Sequence, residues 1–124
     1  MQTGDTILDK TWVAEAAITL YQMVKLGTSA NEVNVCGAGE AGIGIAQNAQ
    51  ATVHGPVTVR IAGISKAITA GVVAKGYYAK AAAAGRIAPV AASMDLIVAR
   101  ALETSASGDT IDVLICGGYY ATTT

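Results

Sequence analysis

Gly55-Pro56-Val57-Thr58-Val59-Arg60-Ile61-Ala62-Gly63 is the stretch on which the reading of the fold turns. Between a Gly-Pro turn and a glycine, Val57, Val59 and Ile61 alternate with Thr58, Arg60 and Ala62. A period of two puts one set of side chains on each face of a strand. Gly108-Asp109-Thr110-Ile111-Asp112-Val113-Leu114-Ile115 repeats the scheme, with Ile111, Val113 and Ile115 in the places of Val57, Val59 and Ile61. Upstream of each turn, Leu96-Ile97-Val98-Ala99-Arg100-Ala101-Leu102-Glu103 matches Ile43-Gly44-Ile45-Ala46-Gln47-Asn48-Ala49-Gln50. The period is about 53 residues. It occurs twice, which predicts an internal duplication of a β-unit rather than a solenoid.

Outward from these strands the chain reads as short β-runs punctuated by glycine. Ile18 to Leu26 alternates and stops at Gly27, and Val33 to Cys36 ends in a glycine cluster. Val72 to Lys75, Tyr77 to Lys80 and Ile87 to Val90 follow in the second half. Runs rich in Val, Ile, Thr and Tyr at this spacing predict a mainly β protein, a small sandwich or barrel built from two similar units. Alanines 81 to 84 offer at most one short helical turn, because nucleating a helix is costly in so short a stretch. Residues 1–17 differ in character and carry the only tryptophan, Trp12, with Ile7, Leu8 and Val13 spaced at no clean period. They read as an extended N-terminal arm ahead of a β-domain at 18–124, with Thr3, Ile7, Leu8, Trp12 and Val13 as its partner contacts.

Composition limits the function. Charged residues make up 14% of the 124, against about 25% in an ordinary soluble domain. So few charges leave a weakly polar exterior that neighbouring subunits are expected to cover. The net charge is −1 and the basic residues are scattered, which argues against nucleic acid, whose binders need a basic stripe. No apolar run is long enough for a membrane helix. Cys36 and Cys116 have no CxxC and no nearby histidine, so no metal site is expected. Both read as small buried hydrophobes, and whether they pair stays open.

Gly37-Ala38-Gly39-Glu40-Ala41-Gly42 follows a strand-like run and matches the G-x-G-x-x-G of dinucleotide-binding folds. There the glycines allow a tight turn, close approach of the pyrophosphate, and packing of a following helix on the sheet. Here the following segment holds Gly44 between two isoleucines, which disfavours a helix. The next stretch supplies Arg60 and Lys66 but no carboxylate for a ribose. A small dinucleotide-binding domain is therefore the alternative, and turns or a bulge the preferred reading. His54 reads as a turn residue rather than a general base. Asp109 shapes a turn, and Asp112 marks the solvent side of the last strand. Tyr77, Tyr78, Tyr119 and Tyr120 suit a subunit interface, half apolar and half wet, and equally the edge of the core. No catalytic constellation and no cofactor is expected.

The two strand units, with Ala67-Ile68-Thr69-Ala70-Gly71 between them, resemble the small capsid decoration (cement) proteins of tailed phages. The similarity covers roughly residues 18–117 and rests on glycines and hydrophobic spacing. It implies a structural, non-enzymatic virion protein on the outer capsid surface, made in the host cytoplasm and self-associating as a homotrimer. It also implies the major capsid protein as partner, whose subunits the protein bridges to stabilise the shell. Another self-assembling β-module, a tail or coat subunit, is the neighbouring alternative.

Overall fold

The computed structural model describes residues 6–91 and 94–120, by main chain alone at 6, 7 and 117–120. Nine strands run through them: β1 (Thr6–Ala14), β2 (Met23–Leu26), β3 (Glu32–Val35), β4 (Gly44–Ala46), β5 (Pro56–Ile68), β6 (Tyr78–Ala81), β7 (Ile87–Pro89), β8 (Leu96–Ala101) and β9 (Thr110–Tyr120). A 3-10 turn at Ala83–Gly85 is the one helical element among the described residues. The fold is mainly β, as the alternation predicts.

The pairing order β1-β3-β2-β4-β5 closes on itself, because β1 also pairs along β5, and makes a five-stranded barrel. Strand β5 is 13 residues long and leaves this barrel midway. Its second half pairs with β9, then β8, β6 and β7 follow in order. Thr69, just past β5, forms an isolated parallel bridge to Ile87 of β7.

The register makes the duplication explicit. Trp12 pairs with Val57 as Ala67 pairs with Ile111, and Leu26 with Val33 as Ala81 with Ile87. Ala46 pairs with Val59 as Ala101 with Val113. Counterparts lie 54 or 55 positions apart, not 53. The sequence match sets Ile43 against Leu96, two residues short of its counterpart Val98, and a slip of two keeps alternation in phase.

Each unit has its own core. Ala14, Ile18, Val24, Val33, Ala46, Val57 and Val59 fill the first. Their counterparts Thr69, Val73, Ala79, Ile87, Ala101, Ile111 and Val113 are all buried in the second unit. The second core also takes in Met23, Cys36 and Ile45 from the first unit, so the two units are packed as well as joined. Left-handed backbone recurs at matched turns: Tyr21 (φ 67°) and Gly76 (87°), Asn31 (64°) and Gly85 (72°), His54 (69°) and Gly108 (86°). The topology imposes the conformation, and at these three turns the second unit meets it with glycine.

Three expectations are corrected. The strand from Ile18 to Leu26 begins only at Met23, because the turn holds Tyr21 left-handed. Val72 to Lys75 is not a strand, although Val73 is buried. Residues 6–14 of the supposed arm are barrel strand β1, paired with β5 from Thr6 to Val13. Burial of Ala14 and packing of Trp12 on the first core hold this segment within the domain.

Candidate functional surface

Strand β1 carries most of the arm residues. Thr3 lies outside the described residues, and Ile7 is described by main chain only. Leu8 is exposed at a register shift between β1 and β5, where both its flanking steps are irregular. Trp12 is half-buried against the first core, with the Lys10 Nζ 4.8 Å from its ring centroid. Its Nε1 is buried without a hydrogen-bond partner. Val13 is half-buried and pairs with Pro56 of β5 and Glu32 of β3. Asp9 accepts two hydrogen bonds from the Arg60 guanidinium, at 2.9 and 3.2 Å, while Arg60 Nη1 donates to the Ile64 carbonyl at 2.9 Å. That fork ties β1 to β5 where β5 passes from the first unit to the second.

The tyrosines divide. Tyr77 and Tyr78 are exposed, and the Arg100 guanidinium stacks 5.3 Å from the Tyr78 ring centroid. Tyr119 and Tyr120 pair by main chain with Ile97 and Leu96 of β8, and their side chains lie outside the described residues.

The glycine cluster at 37–42 has a packing role. The Gly39 amide donates to the Ala81 carbonyl at 2.9 Å, and the Gly85 amide to the Cys36 carbonyl at 2.9 Å. Gln22 Nε2 donates to the Ala84 carbonyl at 3.0 Å. The loop thus locks the first unit onto the β6–β7 turn of the second. A Cβ on Gly42 would meet Met23 Sδ at 2.5 Å, and one on Gly85 would meet Gln22 Cβ at 2.8 Å. Glu40 shapes the loop: its carboxylate accepts from the Gly37 amide at 2.6 Å and from Lys25 Nζ at 2.7 Å. The lysine beside it holds the Glu40 carboxyl below its ordinary pKa. Strand β4, not a helix, follows the loop.

Other polar groups are structural. Asp109 accepts from the Ala106 amide at 2.8 Å within its turn, and Asp112 pairs with Lys66 at 3.1 Å. His54 sits exposed in its turn, 3.4 Å from Glu32. Both cysteines are free thiols, and burial pushes Cys36 up to about 11, away from nucleophilic use at neutral pH. Among the described residues no three His, Cys, Asp or Glu side chains group as a metal site.

Sequence reading alone missed the lock between units and the exposed apolar residues Leu26 and Met94.

No family model and no curated protein matches the chain. Among solved structures, the N base of head fiber gp8.5 of bacteriophage phi29 shares the fold. The TM-score is 0.73 at 12% sequence identity, over 88% of this chain and 93% of that one.

Proposed function

We propose that this protein is a structural, non-enzymatic component of a tailed-phage virion. In this reading it is a decoration protein that binds the outer capsid surface as a homotrimer and bridges subunits of the major capsid protein. The observation that carries it is the fold shared with the phi29 head-fiber base across nearly the whole of both chains. The low charge and the ten exposed large apolar side chains among the described residues support it, since such a surface is suited to contacts with other subunits. The glycine cluster, which alone favoured nucleotide binding, is accounted for by the lock between the units.

The shell-facing part is assigned to β1, with Leu8 exposed and Trp12 and Val13 half-buried, together with Thr3 and Ile7. Several weak contacts repeated on one oligomer would give strong avidity without any single large interface. The test is co-sedimentation with capsids of its own phage that lack the protein. The full chain is expected to pellet with the shells and to raise the temperature at which they release DNA. Leu8→Glu, at an exposed site outside the core, is expected to weaken pelleting while leaving the fold intact. Shells that neither retain the protein nor gain stability from it would overturn the reading.

A further inference from the structure

The lock between the two units has two sides, and duplication gives each unit a copy of both. On the first unit the locking side is the 37–42 loop with Gln22, Met23, Cys36 and Ile45. On the second unit the receiving side is the β6–β7 turn, Ala81 to Gly85. Within one chain, one side of each unit is used and the other is left over.

The unused locking side is on the second unit, and its described residues repeat the same contacts. Asp95 pairs with Lys80 at 3.4 Å as Glu40 pairs with Lys25 at 2.7 Å in the first unit. The Ala91 amide donates to Asp95 at 3.0 Å as the Gly37 amide donates to Glu40. Met94 (φ 71°) repeats the left-handed backbone of Gly39 (φ 75°). The residues around the loop differ from their counterparts in exposure. Met23 is 1% exposed, whereas its counterpart Tyr78 is 46% exposed and Met94 is 66% exposed. Ile45 is fully buried, whereas its counterpart Arg100 is exposed and stacks on Tyr78. The unused receiving side is the β2–β3 turn of the first unit. There the Gly27 amide donates to the Glu32 carbonyl at 2.7 Å, as the Ala82 amide donates to the Arg86 carbonyl at 2.7 Å. Leu26 is 59% exposed, whereas its counterpart Ala81 is 1% exposed.

We propose that a second copy of this chain completes both sides: the loop face of one copy, built on Tyr77, Tyr78 and Met94, docks on the β2–β3 turn of the next, centred on Leu26 and Asn31. The occupant is a second copy because the first unit's loop already packs on the β6–β7 turn, and every chain exposes the counterpart of that turn, β2–β3. Asn31 and Leu26 are bulkier than Gly85 and Ala81, so copies sit farther apart than units of one chain. The contact is head-to-tail, so it closes as a ring or continues as a filament. It names the surface behind the self-association proposed above, and the trimer is a ring of this kind. The test uses no shells, so its failure and that of capsid binding are read separately.

The mass of the full chain is measured by light scattering over a concentration series, with circular dichroism to check folding. Wild type is expected to run as a multiple of one chain, and Leu26→Glu and Tyr78→Glu each as single chains. If Tyr78→Glu does not fold, Met94→Glu replaces it. Mixing the two variants is decisive, because each keeps one intact face. The mixture is expected to form pairs and nothing larger. A monomeric wild type, a variant that keeps the wild-type mass, or a mixture of single chains only would each overturn the proposal.

Discussion

Met23 and Tyr78 occupy the same strand position in the two units, and their burial is opposite. Replacing each with alanine separates the effect of the position from that of the packing. Met23 belongs to the first unit by strand and to the second core by contact. Removing a buried methionine side chain from a packed core costs about 2–5 kcal/mol. Taking about 3 kcal/mol and an unfolding entropy of about 2.1 cal/mol/K per residue, Met23→Ala should lower the melting temperature by roughly 10 °C. Tyr78→Ala should cost under about 1 kcal/mol, because an exposed ring has little to lose. Trp12 sits against the first core and is the only tryptophan, so its fluorescence reports on that unit, while far-UV circular dichroism reports on both. Packing across the lock makes one cooperative transition, so both signals should move together in dilute solution. A Met23→Ala cost below about 1 kcal/mol, or a Trp12 midpoint that parts from the dichroism midpoint, would refute the shared-core account.

Two further outcomes follow from the turns and the buried thiol. Gly108→Ala meets no atom within 4 Å of its new Cβ, so its whole cost is the left-handed backbone at φ 86°. That should be about 1 kcal/mol in urea unfolding, and an unchanged midpoint would count against strain at these turns. Burial raises the Cys36 thiol to about 11 from its ordinary 9.0, so the folded chain keeps a proton that the unfolded chain has released. Stability from this group is complete below pH 9 and falls as pH climbs toward about 11, by at most about 1.4 kcal/mol per pH unit. Cys36→Val should flatten the profile in that window, and an identical slope in the variant would sink the assignment.

Alternation and repetition were legible in the sequence because a strand with one buried face must alternate, and a duplicated strand must do so twice. Val57, Val59, Ile111 and Val113 are buried at the matched positions. The passage of β5 through Gly63 was not legible. A glycine after an alternating run reads as a stop, yet here it has φ 108° and the strand continues to Ile68. The barrel strand β1 was hidden for a related reason. It pairs with β5 across two register shifts, and those irregular steps break the period that would reveal it.

The glycine cluster shows why a motif needs its partners in view. G-x-G-x-x-G reports that backbone must approach something closely, and it does not say what. In this chain the close neighbours are Ala81 and Met23, members of the same molecule. Left-handed Met94 stands where the first unit has Gly39, and its side chain is exposed. Duplication copies the backbone of an interface, and the side chains then diverge wherever the two copies meet different neighbours. Met23, Cys36 and Ile45 are sealed inside the protein. Tyr78, Val90 and Arg100 at the matching sites are exposed or half-buried. Where backbones agree and burial differs, the difference is the ground on which the contact between copies is proposed.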